Sequence, residues 1–224
     1  MTTVQNRESL PILQAGTPIE QATGALILLH GRGGDAEDIL GLGRALAGDR
    51  LALLAPQAPG HTWYPLSFLA PRQQNEPYLS SALKQVEATL GLAIASGLKP
   101  SQIAFCGFSQ GACLATEFVG RHPERYAGLV AFTGGLIGPP DEPILLTGDL
   151  GGTPVLLSSG DPDPHVPWKR VQQSSDLLTA MGAKVTVKRY PGRPHTILPE
   201  EIENGKTILS GLIGTSMPSV RPGA

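Results

Sequence analysis

The 224 residues of the chain suffice for one substantial core, and a net charge of −2 with scattered Lys and Arg supplies no broad positive field for nucleic acid. No apolar run approaches the roughly 20 residues that span a bilayer, since the longest, Ala25 to Leu29, stops at His30. The polar start, Met1 to Ser9, lacks the apolar centre and small-residue cleavage site of a secretory signal, so a cytoplasmic protein is expected.

Short apolar runs alternate with longer amphipathic stretches, the pattern of a mostly parallel sheet covered by helices on both faces. An α/β class is therefore expected, as one domain over residues 1–224 with 1–9 and 216–224 as frayed tails. In chain order, the runs predict a strand at Gly24 to His30, a helix at Asp35 to Ala47 and a strand at Leu51 to Ala55. A loop dense in Pro and Gly follows, Pro56 to Pro77. The clearest helix is Tyr78 to Ser96, where Leu79, Leu83, Val86, Leu90 and Ile94 keep helical spacing until Gly97 and Pro100 stop it. A strand at Gln102 to Cys106, a helix at Gln110 to Arg121 and a strand at Gly128 to Thr133 come next. A second long loop, Gly134 to Gly152, leads to a strand at Thr153 to Ser159 and a helix at Val166 to Met181. A strand at Lys184 to Tyr190 and a helix at Pro199 to Leu212 complete the series. Long loops in a compact domain are commonly functional. Cys106 and Cys113 have neither disulfide-framework nor metal-ligand spacing and read as small buried hydrophobes.

The strongest signal is Gly107-Phe108-Ser109-Gln110-Gly111, a GxSxG pattern directly after a predicted strand and directly before a predicted helix. A sharp strand-to-helix turn pushes a serine hydroxyl clear of the backbone toward a base, and the flanking glycines remove the Cβ atoms that would crowd it. At the helix start the N–H of Gln110 is free to donate to a developing oxyanion. A second donor is expected from the glycine-rich stretch His30-Gly31-Arg32-Gly33-Gly34-Asp35, with the Arg32 N–H as candidate. That stretch lacks the GK[ST] ending of a phosphate loop. The Arg32 side chain has two readings, pointing to solvent or meeting an anionic substrate group. His30 reads as structural, its ring bonding nearby backbone.

A base and its orienting acid are expected after later strands. Gly160-Asp161-Pro162-Asp163-Pro164-His165-Val166-Pro167 offers two carboxylates, and Pro191-Gly192-Arg193-Pro194-His195 offers a histidine. One Asp must fix the imidazole tautomer and stabilise its protonated form. Among rival histidines, His122 at a helix C-terminus reads as a surface residue, His165 lies too near Asp163 to share it, and His61 lacks a strand to position it. His195 remains, by elimination and by order.

Together, LLHGRGGD at Leu28 to Asp35, APQAP at Ala55 to Pro59, GFSQGA at Gly107 to Ala112 and GDPDPHVP at Gly160 to Pro167 resemble the phospholipase/carboxylesterase family of α/β-hydrolases. That group includes bacterial carboxylesterases and acyl-protein thioesterases. The resemblance implies the α/β-hydrolase fold, Ser109, Asp163 and His195 as catalytic triad, and the amides of Arg32 and Gln110 as oxyanion hole. Asp161 is then left to shape its turn through side-chain-to-backbone bonding. Arg32 stands where the thioesterases have Leu, and Ala112 replaces a common Gly. Trp63 and Tyr64 are implied to border the substrate, the other reading being a surface loop pinned by two aromatics. Trp168 reads equally as core or as pocket rim.

The expected activity is hydrolysis of short- to medium-chain carboxylic esters by an acyl-enzyme route, on a small-molecule substrate, with no cofactor and no metal. An acyl-thioesterase or lysophospholipase is the alternative, and a catalytically silent ligand-binding protein a third reading. Oligomeric state stays open, a homodimer being compatible with the sequence.

Overall fold

A computed structural model describes residues 11–213 of the chain; the expected frayed tails lie outside the described residues. Among the described residues seven strands form one sheet in the order β1-β3-β2-β4-β5-β6-β7. They are β1 (Ile12–Gly16), β2 (Ala25–Leu29), β3 (Ala52–Pro56), β4 (Ile103–Phe108), β5 (Gly128–Phe132), β6 (Pro154–Asp161) and β7 (Lys184–Pro191). Five α-helices connect or follow them: α1 (Ala36–Ala47), α2 (Tyr78–Ala95), α3 (Gln110–Arg121), α4 (Trp168–Ala180) and α5 (Pro199–Ile213). No helix among the described residues is long and apolar enough to cross a membrane.

The six parallel strands β2 to β7 are those the apolar runs predict, with β6 and β7 running on to Asp161 and Pro191. β1 is the one the sequence reading omitted. It pairs antiparallel with β3, Ile12 opposite Pro56, at a sheet edge where its residues are mostly half-buried. The central strands are buried on both faces, as continuous apolar runs require. One cluster, with Ile27, Leu54, Phe105 and Leu129, lies under α2, α3 and α4 on one face; another, with Leu28, Leu53, Cys106 and Val130, lies under α1 and α5 on the other.

Register decides what arrives beside what. Leu29 of β2 lies opposite Gly107 of β4, and Phe108 opposite Phe132 of β5, so the loops leaving these strands emerge side by side. β6 and β7 pair over their whole lengths, Asp161 opposite Pro191, so the segments carrying Asp163 and His195 leave together. Ligand sites in such sheets form at the carboxyl ends of the strands. The two long loops are tied down from α3, where buried Glu117 pairs with Arg72 and with Arg121 and accepts the Ile137 N–H at 2.9 Å.

Candidate active site

The turn at Ser109 is built by backbone proximity. A Cβ on Gly111 would stand 2.0 Å from the Leu29 carbonyl oxygen, and one on Gly107 would stand 2.4 Å from the Gly111 carbonyl carbon. Only glycines let α3 start this close to β2. Between them Ser109 adopts φ 54°, a left-handed conformation that is strained for a serine, with its N–H donating to Phe132 O at 3.0 Å.

His195 Nε2 lies 2.9 Å from Ser109 Oγ, and its Nδ1 lies 2.9 Å from Asp163 Oδ2 and 3.1 Å from Oδ1. An ionised carboxylate only accepts, so Nδ1 carries the proton and Nε2 presents its lone pair to the serine hydroxyl. The Asp163 side chain is fully buried, and its Oδ1 also accepts the N–H groups of His165 and Val166 at 2.9 Å. Burial pushes the carboxyl up, but those two amides and the His195 ring outweigh it and hold its pKa below the ordinary value. The group therefore stays ionised.

The loop carrying His195 is held by an ionic clamp that the sequence reading missed. The Arg193 side chain is 2% exposed and its Nε lies 3.3 Å from Oε2 of Glu201, which is completely buried. Nη2 donates to Thr133 Oγ1 at 2.7 Å, and Nη1 donates to the carbonyls of Pro194 and Thr196. Glu201 also accepts from Ser158 Oγ at 2.6 Å and from the Leu198 N–H at 2.9 Å. The loop, the residue after β5, strand β6 and α5 thus meet at one buried pair. Gly160 completes the contact, since a Cβ there would stand 2.6 Å from Arg193 O.

Two amides point nowhere else. Neither the Arg32 N–H nor the Gln110 N–H has an acceptor among the described residues, as expected for a glycine-rich turn and for the first residue of a helix. The side chains of the same two residues grip the pocket wall. Arg32 donates to the carbonyls of Tyr64, Pro65 and Leu66 at 2.8–3.0 Å. Gln110 accepts the Trp63 N–H at 3.0 Å and donates to Tyr64 O at 2.8 Å. Arg32 is exposed, and its side chain spends three of its N–H donors on wall carbonyls. The wall, with Tyr64, Leu66, Phe68 and Leu69, closes a cavity of about 610 Å³ that reaches Ser109, His195, Phe108 and Val166.

The remaining candidates sort by position. His30 is buried, its Nδ1 donating to Gly31 O at 2.8 Å while Nε2 accepts the Ala58 N–H at 3.1 Å, the structural role expected; burial lowers its pKa. His61 pins the glycine loop by donating to Gly34 O at 2.9 Å. His165 meets the His195 ring edge-on at 4.9 Å, and only its backbone bonds to Asp163. His122 caps the C-terminus of α3 as its sequence position implies, half-buried, its Nδ1 donating to Phe118 O at 3.0 Å and its ring stacked on Phe118 at 4.3 Å. Among the described residues the Asp161 side chain makes no bond to backbone. It pairs instead with Arg189, which β7 places opposite Ser159, two residues before the end of β6 and within diagonal reach of Asp161. Trp63 and Tyr64 are both buried, Tyr64 in the cavity lining. Trp168 packs on the core beneath Arg189 and outside that lining. Cys106 and Cys113 are free and buried; desolvation raises both thiols, Cys113 to about 12.

A mostly parallel seven-stranded sheet with a strained serine between β4 and α3 is an α/β-hydrolase fold. Residues 12–213 match the phospholipase/carboxylesterase family model, and the chain belongs to that family. It superposes on the crystal structure of a phospholipase/carboxylesterase from Dyadobacter fermentans with a TM-score of 0.87 and 48% identity, covering 90% of this chain and 97% of that one. Carboxylesterase SOBER1 of Arabidopsis thaliana is 30% identical over 135 residues, 58% of this chain and 57% of the relative. Acyl-protein thioesterase 1 of Saccharomyces cerevisiae is 33% identical over 130 residues, 55% of this chain and 56% of the relative. The chain spans about half the length of the curated relatives it matches.

Proposed function

We propose that the chain is a serine carboxylesterase that cleaves short- to medium-chain carboxylic esters through an acyl-enzyme intermediate. The reading rests on one observation above all, the unbroken relay from Ser109 Oγ through the His195 ring to Asp163, with 2.9 Å at each link. Ser109 Oγ attacks the ester carbonyl carbon while its proton passes to His195 Nε2; the Oγ–C bond forms and the carbonyl π pair moves onto oxygen. The Arg32 and Gln110 amides receive that oxyanion, each donor being worth about 3 kcal/mol in such sites. Collapse breaks the bond to the alcohol oxygen, which leaves with the proton from Nε2. Water then attacks the acyl-Ser109 carbonyl with His195 as base, releasing the acid and restoring the hydroxyl. Asp163 remains ionised throughout and stabilises the imidazolium.

A cavity of about 610 Å³ with an apolar wall suits an ester of modest size. Family membership supports ester chemistry in general, and residues 12–213 carry the matching segment. A fluorophosphonate probe is expected to label the wild-type protein and not Ser109→Ala, and a nitrophenyl ester to give a burst before steady turnover. Activity across acyl chains from acetyl to palmitoyl is expected to peak early. A rise toward palmitoyl would favour the thioesterase or lysophospholipase class, and an unlabelled wild-type protein would favour a silent binding protein.

A further inference from the structure

The cavity beside Ser109 is electrically one-sided. Among the described residues its lining includes Arg32, His165 and His195 but no Asp or Glu. The carboxylate of Asp163 lies behind the imidazole with its side chain fully buried. The whole chain carries a net charge of −2, so a basic cavity does not follow from overall composition.

Arg32 supplies the fixed charge. Among the described residues its guanidinium has no ion-pair partner, and its bonds go to the neutral carbonyls of Tyr64, Pro65 and Leu66. Asp35, nearby in sequence, spends Oδ1 on the Asp38 N–H at the start of α1. Carbonyl bonds orient a guanidinium without discharging it, and the three made here leave two of its five N–H donors for a ligand. The orientation is itself braced: Gln110 holds Tyr64 and Trp63, while Asn75 Oδ1 accepts the Leu66 N–H at 2.8 Å. A cation held in place before binding loses little side-chain freedom when an anion arrives. The apolar wall at Leu66, Phe68 and Leu69 accommodates hydrocarbon between the two ends of such a substrate.

We infer that the substrates of this site are esters bearing a carboxylate, with the Arg32 guanidinium as its counter-charge. The inference rests on the esterase reading above and narrows it to a substrate class.

Two isosteric pairs test it. In the first the charge is on the acyl side, the mono-p-nitrophenyl ester of adipic acid against the same compound methylated at its free carboxylate. In the second it is on the alcohol side, para-acetoxybenzoate against its methyl ester. The quantity read is the ratio of kcat/KM, anionic over neutral, so a general loss of activity in a variant cancels. Wild-type protein is expected to favour the anionic member of at least one pair by about tenfold at low salt, with the ratio falling as salt rises. Arg32→Gln is expected to bring that ratio near one, whereas Arg32→Lys, which keeps the charge and loses the fork, retains most of it. The responding pair tells which side of the ester faces Arg32. A wild-type ratio near one in both pairs, or a preference unchanged in Arg32→Gln, overturns the inference and leaves the esterase reading intact. Failure of all four esters to turn over, with no fluorophosphonate labelling, overturns both.

Discussion

Ser109 and His195 meet at 2.9 Å, yet different physics brings each to that point. Ser109 stands at the centre of the sheet, where β2 and β5 flank β4 and fix the turn through backbone contacts that only glycine permits. His195 follows β7, an edge strand with alternating exposure and a neighbour on one side only. Among the described residues no second strand confines its loop, and the buried Arg193–Glu201 pair does so instead. Position in the sheet thus decides whether a functional residue is placed by fit or by charge.

The joint between the two halves is the sharpest place to test this contrast. Asp163→Asn is expected to lower kcat by about four orders of magnitude, because an amide that donates to Nδ1 selects the wrong tautomer. Asp161→Asn removes only the pairing with Arg189 and should stay within about tenfold of wild type in the same assay. Next in size is the edge clamp. Arg193→Met strands the buried Glu201 carboxylate and should reduce the unfolding free energy in urea by about 3–5 kcal/mol. Adding Glu201→Gln should recover part of that loss, and strict additivity of the two changes would show that no clamp exists. At the centre, Gly111→Ala forces α3 away from Leu29 and should cost about 1–3 kcal/mol. Its kcat should fall as well, since the same shift separates the Gln110 and Arg32 amides. An active, fully stable Gly111→Ala protein would refute placement by fit.

The smallest effect concerns pH. Burial lowers the His30 pKa from 6.5, so the folded state prefers the neutral ring while the unfolded chain protonates first. Its contribution to stability is therefore complete above pH 6.5 and declines as pH falls through that value toward the folded pKa. In urea titrations from pH 8 to 5, His30→Asn should be less stable throughout but with a shallower acid slope.

What the residues disclosed beforehand follows the same division. Central strands are continuous apolar runs and were legible, as was the Ser109 turn, because glycine spacing is local. β1 was not, since Ile12 to Gly16 has no apolar run and owes its strand form to pairing with Ala52 to Pro56, far along the chain. Asp163 and His195 were readable from their order after successive strands. Arg193 and Glu201 were not, because isolated charges in a loop and a helix look solvated until the fold buries them together. Tyr64 likewise gave two equal readings, which its burial in the cavity lining and the carbonyl contacts of Arg32 and Gln110 separate.

Those contacts have a further consequence. Arg32 and Gln110 each keep a backbone N–H without an acceptor among the described residues and turn a side chain to the segment Trp63 to Leu66. With those N–H groups as the proposed oxyanion donors, reactivity and cavity shape share their supports, and remodelling the wall for a bulkier guest would also displace the donors. The opposite side of the cavity, Pro164 to Pro167, is tied to the relay instead, through the His165 and Val166 amides on Asp163 Oδ1, so each face of the cavity braces a different part of the reacting machinery.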